Sequence, residues 1–205
     1  MRTGLVIASA LLAASCNAAP DQVSPQVQET SAATDEPAPN EIRAAQAPGA
    51  QPASPPTFAV AVAQSDMFEI ATSKLAIEKG QSAATREFAK KMVDDHTAST
   101  RDLRALVAKS ELPIVLPSRL DARQQGILDR LAQANAADFD REYMNQQFDE
   151  HATALKLHQE FQEASEGGDL LTFSRKVLPV IQAHYDHLAQ TDAVKGREKS
   201  GSVKQ

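Results

Sequence analysis

The sequence predicts an all-α fold, an antiparallel four-helix bundle with a short extra helix between the second and third long helices. Apolar residues recur at alternating spacings of three and four in four long segments, which is the pattern of amphipathic helices. Glycines at position 80 and at positions 167–168 join these segments in pairs, so each pair forms an antiparallel hairpin. Aromatic residues make up only 4% of the chain and tryptophan is absent, which favours helices with small-residue contacts over a β-sandwich.

The N-terminus has the features of an export signal. Arg2 precedes an apolar run at residues 5–14, which is too short to span a membrane and is typical of a signal-peptide core. The run leads to Cys16, the single cysteine of the chain. It resembles a bacterial lipoprotein signal, with residues 1–15 removed and Cys16 lipidated; the alternative is an ordinary secreted protein with a leftover cysteine. Asn17 replaces the aspartate typical of inner-membrane retention, which favours an outer-membrane lipoprotein facing the periplasm.

Residues 16–56 are predicted to be a disordered tether. They hold eight of the eleven prolines and almost no large apolar residue, so they cannot bury a core. A flexible coil of this length spans about 35 Å. The net charge of −6 argues against a nucleic-acid partner. We expect the membrane as a partner through the lipid at Cys16, and a protein partner in the envelope as a further candidate.

The folded domain is predicted at residues 57–190. The first helix, at residues 57–79, carries Glu69 near its buried side. The second begins at Ser82, a good N-cap, and ends near residue 110. Its apolar stripe contains a histidine and consists of Phe88, Met92, His96, Ser99, Leu103 and Leu106.

The second half of the domain begins with residues 111–117, which contain two prolines and are not helical. Ser118 and Asp121 can cap the short extra helix, which ends near residue 134. The third long helix, from residue 138 to the paired glycines, has His151 in its stripe. The fourth, at residues 169–190, has His184 in its stripe. Residues 191–205 are polar and are predicted to be a disordered tail.

Four polar residues on the inward faces lie at similar depths. At about 1.5 Å per residue, Glu69 and His96 lie about 17 and 21 Å from their shared turn, and His151 and His184 lie about 24 Å from theirs. The four residues should therefore form one layer across the core.

Two interpretations of this layer remain open. One is a hydrogen-bonded network that fixes helix register, completed by Asp95, Glu150 or water. The other is a site for one transition-metal ion, because imidazole and carboxylate bind Zn, Cu, Fe and Mn well. His158 and His187 lie one or two turns further along their helices and are predicted to be boundary residues.

Five features of residues 58–188 are typical of one bacterial family: the segments DMFEIATSKLA at 66–76, FAKKMVDDHT at 88–97, FDREY at 139–143 and LPVIQAH at 178–184, and His151. Over this span the chain resembles DUF4142, a ferritin-like family of unknown function whose members are often labelled predicted outer membrane proteins. The resemblance implies a ferritin-like bundle and an envelope location, and it implies no reaction.

The ferritin-like description raises the question of a di-iron centre. Such centres use Glu-x-x-His on two helices and a further glutamate on each of the other two. Here the residues three positions before the histidines are Val93, Phe148 and Ile181. The sequence therefore favours a single histidine-rich ion over a ferroxidase centre.

The leading hypothesis is a non-enzymatic binding protein of the envelope, with Glu69, His96, His151 and His184 as candidate metal ligands. The alternatives are a metal-dependent, redox enzyme and a purely structural or partner-binding bundle whose polar layer is hydrogen-bonded.

Overall fold

The computed structural model describes the backbone of residues 54–201 and the side chains of residues 54–197. The predicted signal peptide, Cys16, the predicted tether up to residue 53 and residues 202–205 lie outside the described residues. Within residues 54–201 the chain forms six α-helices and no strand. None of these helices combines the length and the apolar character that a membrane crossing requires.

The four long helices confirm the predicted bundle, and their ends lie within three residues of the predicted ones. The helices are α1 (Pro55–Lys79), α2 (Ala83–Val107), α3 (Ala122–Gln133), α4 (Ala136–Ala164), α5 (Asp169–Ala189) and α6 (Asp192–Gly201). The pairs α1–α2 and α4–α5 form the two hairpins, and α3 is the short extra helix.

Local sequence signals begin the helices. The Ser82 side chain accepts a hydrogen bond from the backbone of Thr85 at the start of α2. Asp121 and Gln124 form a capping box at the start of α3, so Asp121 is the N-cap of the extra helix. Gly80 is required at the first turn, because a Cβ there would lie 2.6 Å from the Ala76 carbonyl oxygen.

Asp140 of α4 ties the first turn to the second hairpin. Its two carboxylate oxygens accept hydrogen bonds from the backbone N–H groups of Gln81 and Ser82, each at 2.8 Å. Charge-assisted bonds of this kind are stronger than neutral ones, and they fix the height of one hairpin against the other.

Two apolar clusters fill the bundle, one towards each end. The cluster nearer the first turn includes Phe88, Met92 and Tyr143. The cluster at the opposite end is centred on Phe58, which stacks on Phe161 with 3.8 Å between ring centroids. Along each helix, the histidine of the predicted layer falls between the residues of these two clusters. The polar layer is therefore enclosed by apolar packing above and below.

The prediction of a disordered tail is wrong for Asp192–Gly201, which form α6. Val194 is buried, and the Arg197 guanidinium bonds the Asp149 carboxylate of α4 at 2.8 Å. The segment has one large apolar residue, so it shows no helical spacing of apolar residues that could predict a helix. Contacts with α4 and α5 stabilise it instead.

Candidate metal centre

Three of the four predicted site residues meet in the core. His96 of α2, His151 of α4 and His184 of α5 are all buried. Each offers one ring nitrogen to a group whose atoms lie within 4.8 Å of one another. His151 Nε2 and His184 Nδ1 are 3.3 Å apart. We call these three residues the histidine cluster.

The outward-facing ring nitrogen of each histidine has its own hydrogen-bond acceptor. His96 Nδ1 bonds the Asp66 carboxylate, His151 Nδ1 bonds the backbone carbonyl of Gln147, and His184 Nε2 bonds the Asp95 carboxylate. All three distances are 2.8 Å. Because carboxylates and carbonyls only accept, these three nitrogens carry the hydrogens. This is the outer arrangement that orients histidines in metal sites.

The inward-facing nitrogens therefore present lone pairs. His96 Nε2 is buried without a partner. His151 Nε2 and His184 Nδ1 face each other as two acceptors, so neither satisfies the other when both rings are neutral. A cation would satisfy all three. Two nitrogens on one tetrahedral zinc-like ion lie about 3.3 Å apart, which matches the His151–His184 spacing. The spacing of this pair therefore suits a single metal ion, with a ring nitrogen of His96 within 4.8 Å of both.

Burial keeps two of the rings neutral. Burial, together with the neighbouring His96, lowers the pKa of His151 to about 3. Burial also lowers the pKa of His184 to about 4, although its bond to Asp95 opposes the shift. Neutral imidazole is the form that binds a metal, so these rings are ready to act as ligands at neutral pH.

The structure does not bring Glu69 into the histidine cluster. Its side chain is buried on α1, and Oε2 has no hydrogen-bond partner. Burial raises the pKa of Glu69 well above its ordinary value, and the negative charges of Glu150 and Asp66 raise it further. Glu69 is thus a buried carboxyl outside the cluster, and its neutral form is favoured.

Asp66 is the site residue that our sequence reasoning missed. It lies three residues before Glu69, its side chain is buried, and it holds His96 from α1. Thr100 donates a further hydrogen bond to its second oxygen, at 3.2 Å. Two signals point to it: Asp66 and Glu69 share a helix face, and buried histidines in metal sites are commonly held by a carboxylate.

The two predicted supporting residues have different positions. Asp95 holds His184 and also pairs with Lys91 at the surface. Glu150 bonds Arg123 of α3 at 3.2 Å and touches none of the three histidines through a hydrogen bond. Its negative charge acts on Glu69, whose pKa it helps to raise.

The remaining two histidines of the bundle lie outside the cluster. The prediction that His158 is a boundary residue is wrong, because its ring is buried, bonds Ser174 Oγ at 3.0 Å and packs edge-on against Phe58. His187 is exposed and stacks on Phe88 with 5.0 Å between ring centroids.

Comparison with known proteins identifies the domain. Among solved structures, the chain is similar to "CopM in the Cu(I)-bound form", with 17% identity and a TM-score of 0.55 over 66% of this chain and 92% of that chain. At that identity the likeness shows the helical-bundle fold alone. A search of curated proteins finds no significant match. The family model described as "Domain of unknown function (DUF4142)" matches residues 40–191. The chain therefore belongs to the DUF4142 family, as its sequence motifs predicted.

Proposed function

We propose that the protein binds one transition-metal ion between His96, His151 and His184, and that this binding is its function. One observation carries the proposal: three buried lone pairs converge while the opposite nitrogen of each ring is held by an acceptor. Such pre-organisation is expected of a metal site, since it fixes ring orientation and tautomer before the ion arrives.

Copper is the first candidate for the ion. The structurally similar CopM is described in a Cu(I)-bound form, and imidazole nitrogens suit copper as a ligand set. Zinc is the second candidate, because three histidines are also a familiar zinc ligand set. Asp66 and Asp95 each place a negative charge behind one ligand, which would offset the charge of a bound cation.

The burial of the site favours binding over catalysis. A metal enzyme needs an open coordination position and a path for its substrate, whereas a storage or structural site can be closed. The three ligand residues are buried. A cavity of about 120 Å³, lined by Met67, Thr100, Arg104 and neighbours, has no histidine in its wall. The alternative of a metal-dependent redox enzyme has no comparable support.

The proposal places this binding in the bacterial envelope. The support is sequence evidence alone: the signal-like residues 1–15, a cysteine at position 16 and the proline-rich segment that follows. A lipid at Cys16 would anchor the protein to the outer membrane and leave the bundle in the periplasm. Replacement of Cys16 by serine should then release the protein from the membrane fraction.

Elemental analysis tests the proposal. The protein is purified without a histidine tag, exposed in turn to Cu, Zn, Fe and Mn, and freed of unbound metal. We expect close to one ion per chain for copper or zinc, and loss of the ion in His96→Ala and in His151→Ala. His158→Ala is the matched control, because it removes an equally buried imidazole outside the cluster and should retain the ion. A wild-type protein with normal helical content and no retained metal would overturn the proposal.

A structural layer is the second candidate function, favoured by the two outer hydrogen bonds that join α1 to α2 and α2 to α5. Buried polar networks can fix register without adding stability. On this reading His184→Leu would leave the unfolding free energy unchanged or raised, and the protein would bind no metal.

A further inference from the structure

The three histidines differ in how far their outer partners reach towards solvent. The Asp66 side chain behind His96 is 5% exposed, and Gln147, whose carbonyl holds His151, is 0% exposed. The Asp95 side chain behind His184 is 31% exposed, although His184 itself is buried. Among these three partners, Asp95 is therefore the one that links the histidine cluster to solvent.

Asp95 is shared between the core and the surface. Its Oδ2 accepts a bond from His184 Nε2 at 2.8 Å and another from Lys91 Nζ at 2.5 Å. Lys91 lies one turn earlier on α2, and its side chain is mostly exposed. Exposed ion pairs of this kind contribute only about 0–1 kcal/mol, so the lysine can leave the carboxylate at little cost.

We propose that Asp95 is the port through which a metal cation enters and leaves the histidine cluster, and that Lys91 is the cation displaced there. The inference rests on the proposed metal-binding function and adds a route to it. The arriving cation takes the place of the Lys91 ammonium at the Asp95 carboxylate. The negative charge of Asp95 therefore has a positive partner before, during and after the exchange. His184 lies directly behind the carboxylate and presents its other nitrogen to the cluster.

A second route is less well suited to a cation. The cavity is lined by Thr100, which donates a hydrogen bond to Asp66. Asp66 in turn bonds His96, so this chain of contacts leads from the cavity to the cluster. Arg104 lines this cavity, and its fixed positive charge repels an incoming cation. Asp66 is also closed to solvent, whereas Asp95 is not.

The kinetics of metal loading test this route. Apo full-length protein is mixed rapidly with Zn²⁺, and in a separate anaerobic experiment with Cu(I), each supplied by a chromophoric chelator whose absorbance reports transfer. Asp95→Asn retains an oxygen acceptor for His184 and loses the charge. We expect its loading rate constant to fall about tenfold, because a loss of affinity alone would appear mainly as faster release.

Asp102→Asn is the matched control. Asp102 lies on the same helix, is 28% exposed and pairs with Lys176 at 2.8 Å, as Asp95 pairs with Lys91. It has no histidine partner, so its loss should change the loading rate less than about twofold. Lys91→Met removes the competing cation from Asp95 and should increase the loading rate about threefold or more.

The outcomes separate this inference from the function on which it rests. Stoichiometric binding in Asp95→Asn with a wild-type loading rate overturns the port and leaves the metal site intact. Slower loading in Thr100→Val, with Asp95→Asn unaffected, overturns it in favour of the cavity route. A wild-type protein that takes up neither ion overturns both the port and the proposed function.

Discussion

Burial of His151 should make the metal-free protein sensitive to mild acid. Its pKa is about 3 in the folded protein, against about 6.5 in the unfolded chain. Below pH 6.5 the unfolded chain therefore binds a proton that the folded chain excludes. The free energy of unfolding falls as the pH drops below 6.5, and the loss continues until the pH approaches 3. Between pH 7 and pH 5 this single residue should cost about 2 kcal/mol of stability.

The measurement compares two proteins so that all other titrating groups cancel. Guanidinium unfolding of wild type and His151→Leu is followed by circular dichroism at pH 7, 6 and 5 in the presence of a chelator. Leucine has a similar volume and does not titrate. The difference in unfolding free energy should shift by about 2 kcal/mol in favour of the variant as the pH falls. His187→Leu is the control, because it removes an exposed imidazole that lies outside the cluster.

Parallel pH curves for wild type and His151→Leu would refute this reasoning, since they would mean that His151 takes up a proton in the folded state as easily as in the unfolded state. The burial of the cluster, on which the neutral ligand form depends, would then be wrong.

Three further predictions concern the rest of the bundle. Glu69→Gln should raise the unfolding free energy by about 1 kcal/mol or more at pH 8 and by less at pH 5. The reason is that a buried carboxylate destabilises the folded protein only in its ionised form. Chemical unfolding at the two pH values checks this. Phe58→Ala should cost about 3–5 kcal/mol by removing a fully buried ring, measured by the same method. Val194→Asp should destabilise the protein by more than about 1 kcal/mol, because it buries a charge where α6 packs. Val115→Asp, at an 84% exposed site, is the control and should change the stability by no more than about 0.5 kcal/mol. Thermal melts of both variants check this.

The height of each histidine in the bundle could be predicted from sequence because the turns are marked by glycine. Gly80 and the pair at 167–168 fix where each hairpin reverses, and a constant rise per residue then converts chain position into depth. This was sufficient to bring His96, His151 and His184 to one level.

On α1, the sequence reasoning chose the wrong carboxylate. Glu69 and Asp66 share a helix face, but Asp66 lies about 21 Å from the turn, level with His96, whereas Glu69 lies about 17 Å from it. Asp66 lies three residues earlier, about 4.5 Å along the helix axis, and it is the carboxylate that reaches His96. Sequence also missed α6, since its helix depends on tertiary contacts at Val194 and Arg197 that no local periodicity reports.

The direction of the hydrogen bonds distinguishes a metal site from a structural polar layer. A layer that served only for register would be expected to pair donors with acceptors on both sides of each ring. Here all three outer partners are acceptors, so all three N–H groups point outward and all three lone pairs point inward. Protonation of one ring would supply a donor to the interior, but burial opposes it by lowering the pKa of His151 to about 3 and of His184 to about 4. At neutral pH, His151 and His184 therefore supply no positive charge to the interior of the cluster, and a metal cation is the species whose chemistry supplies one.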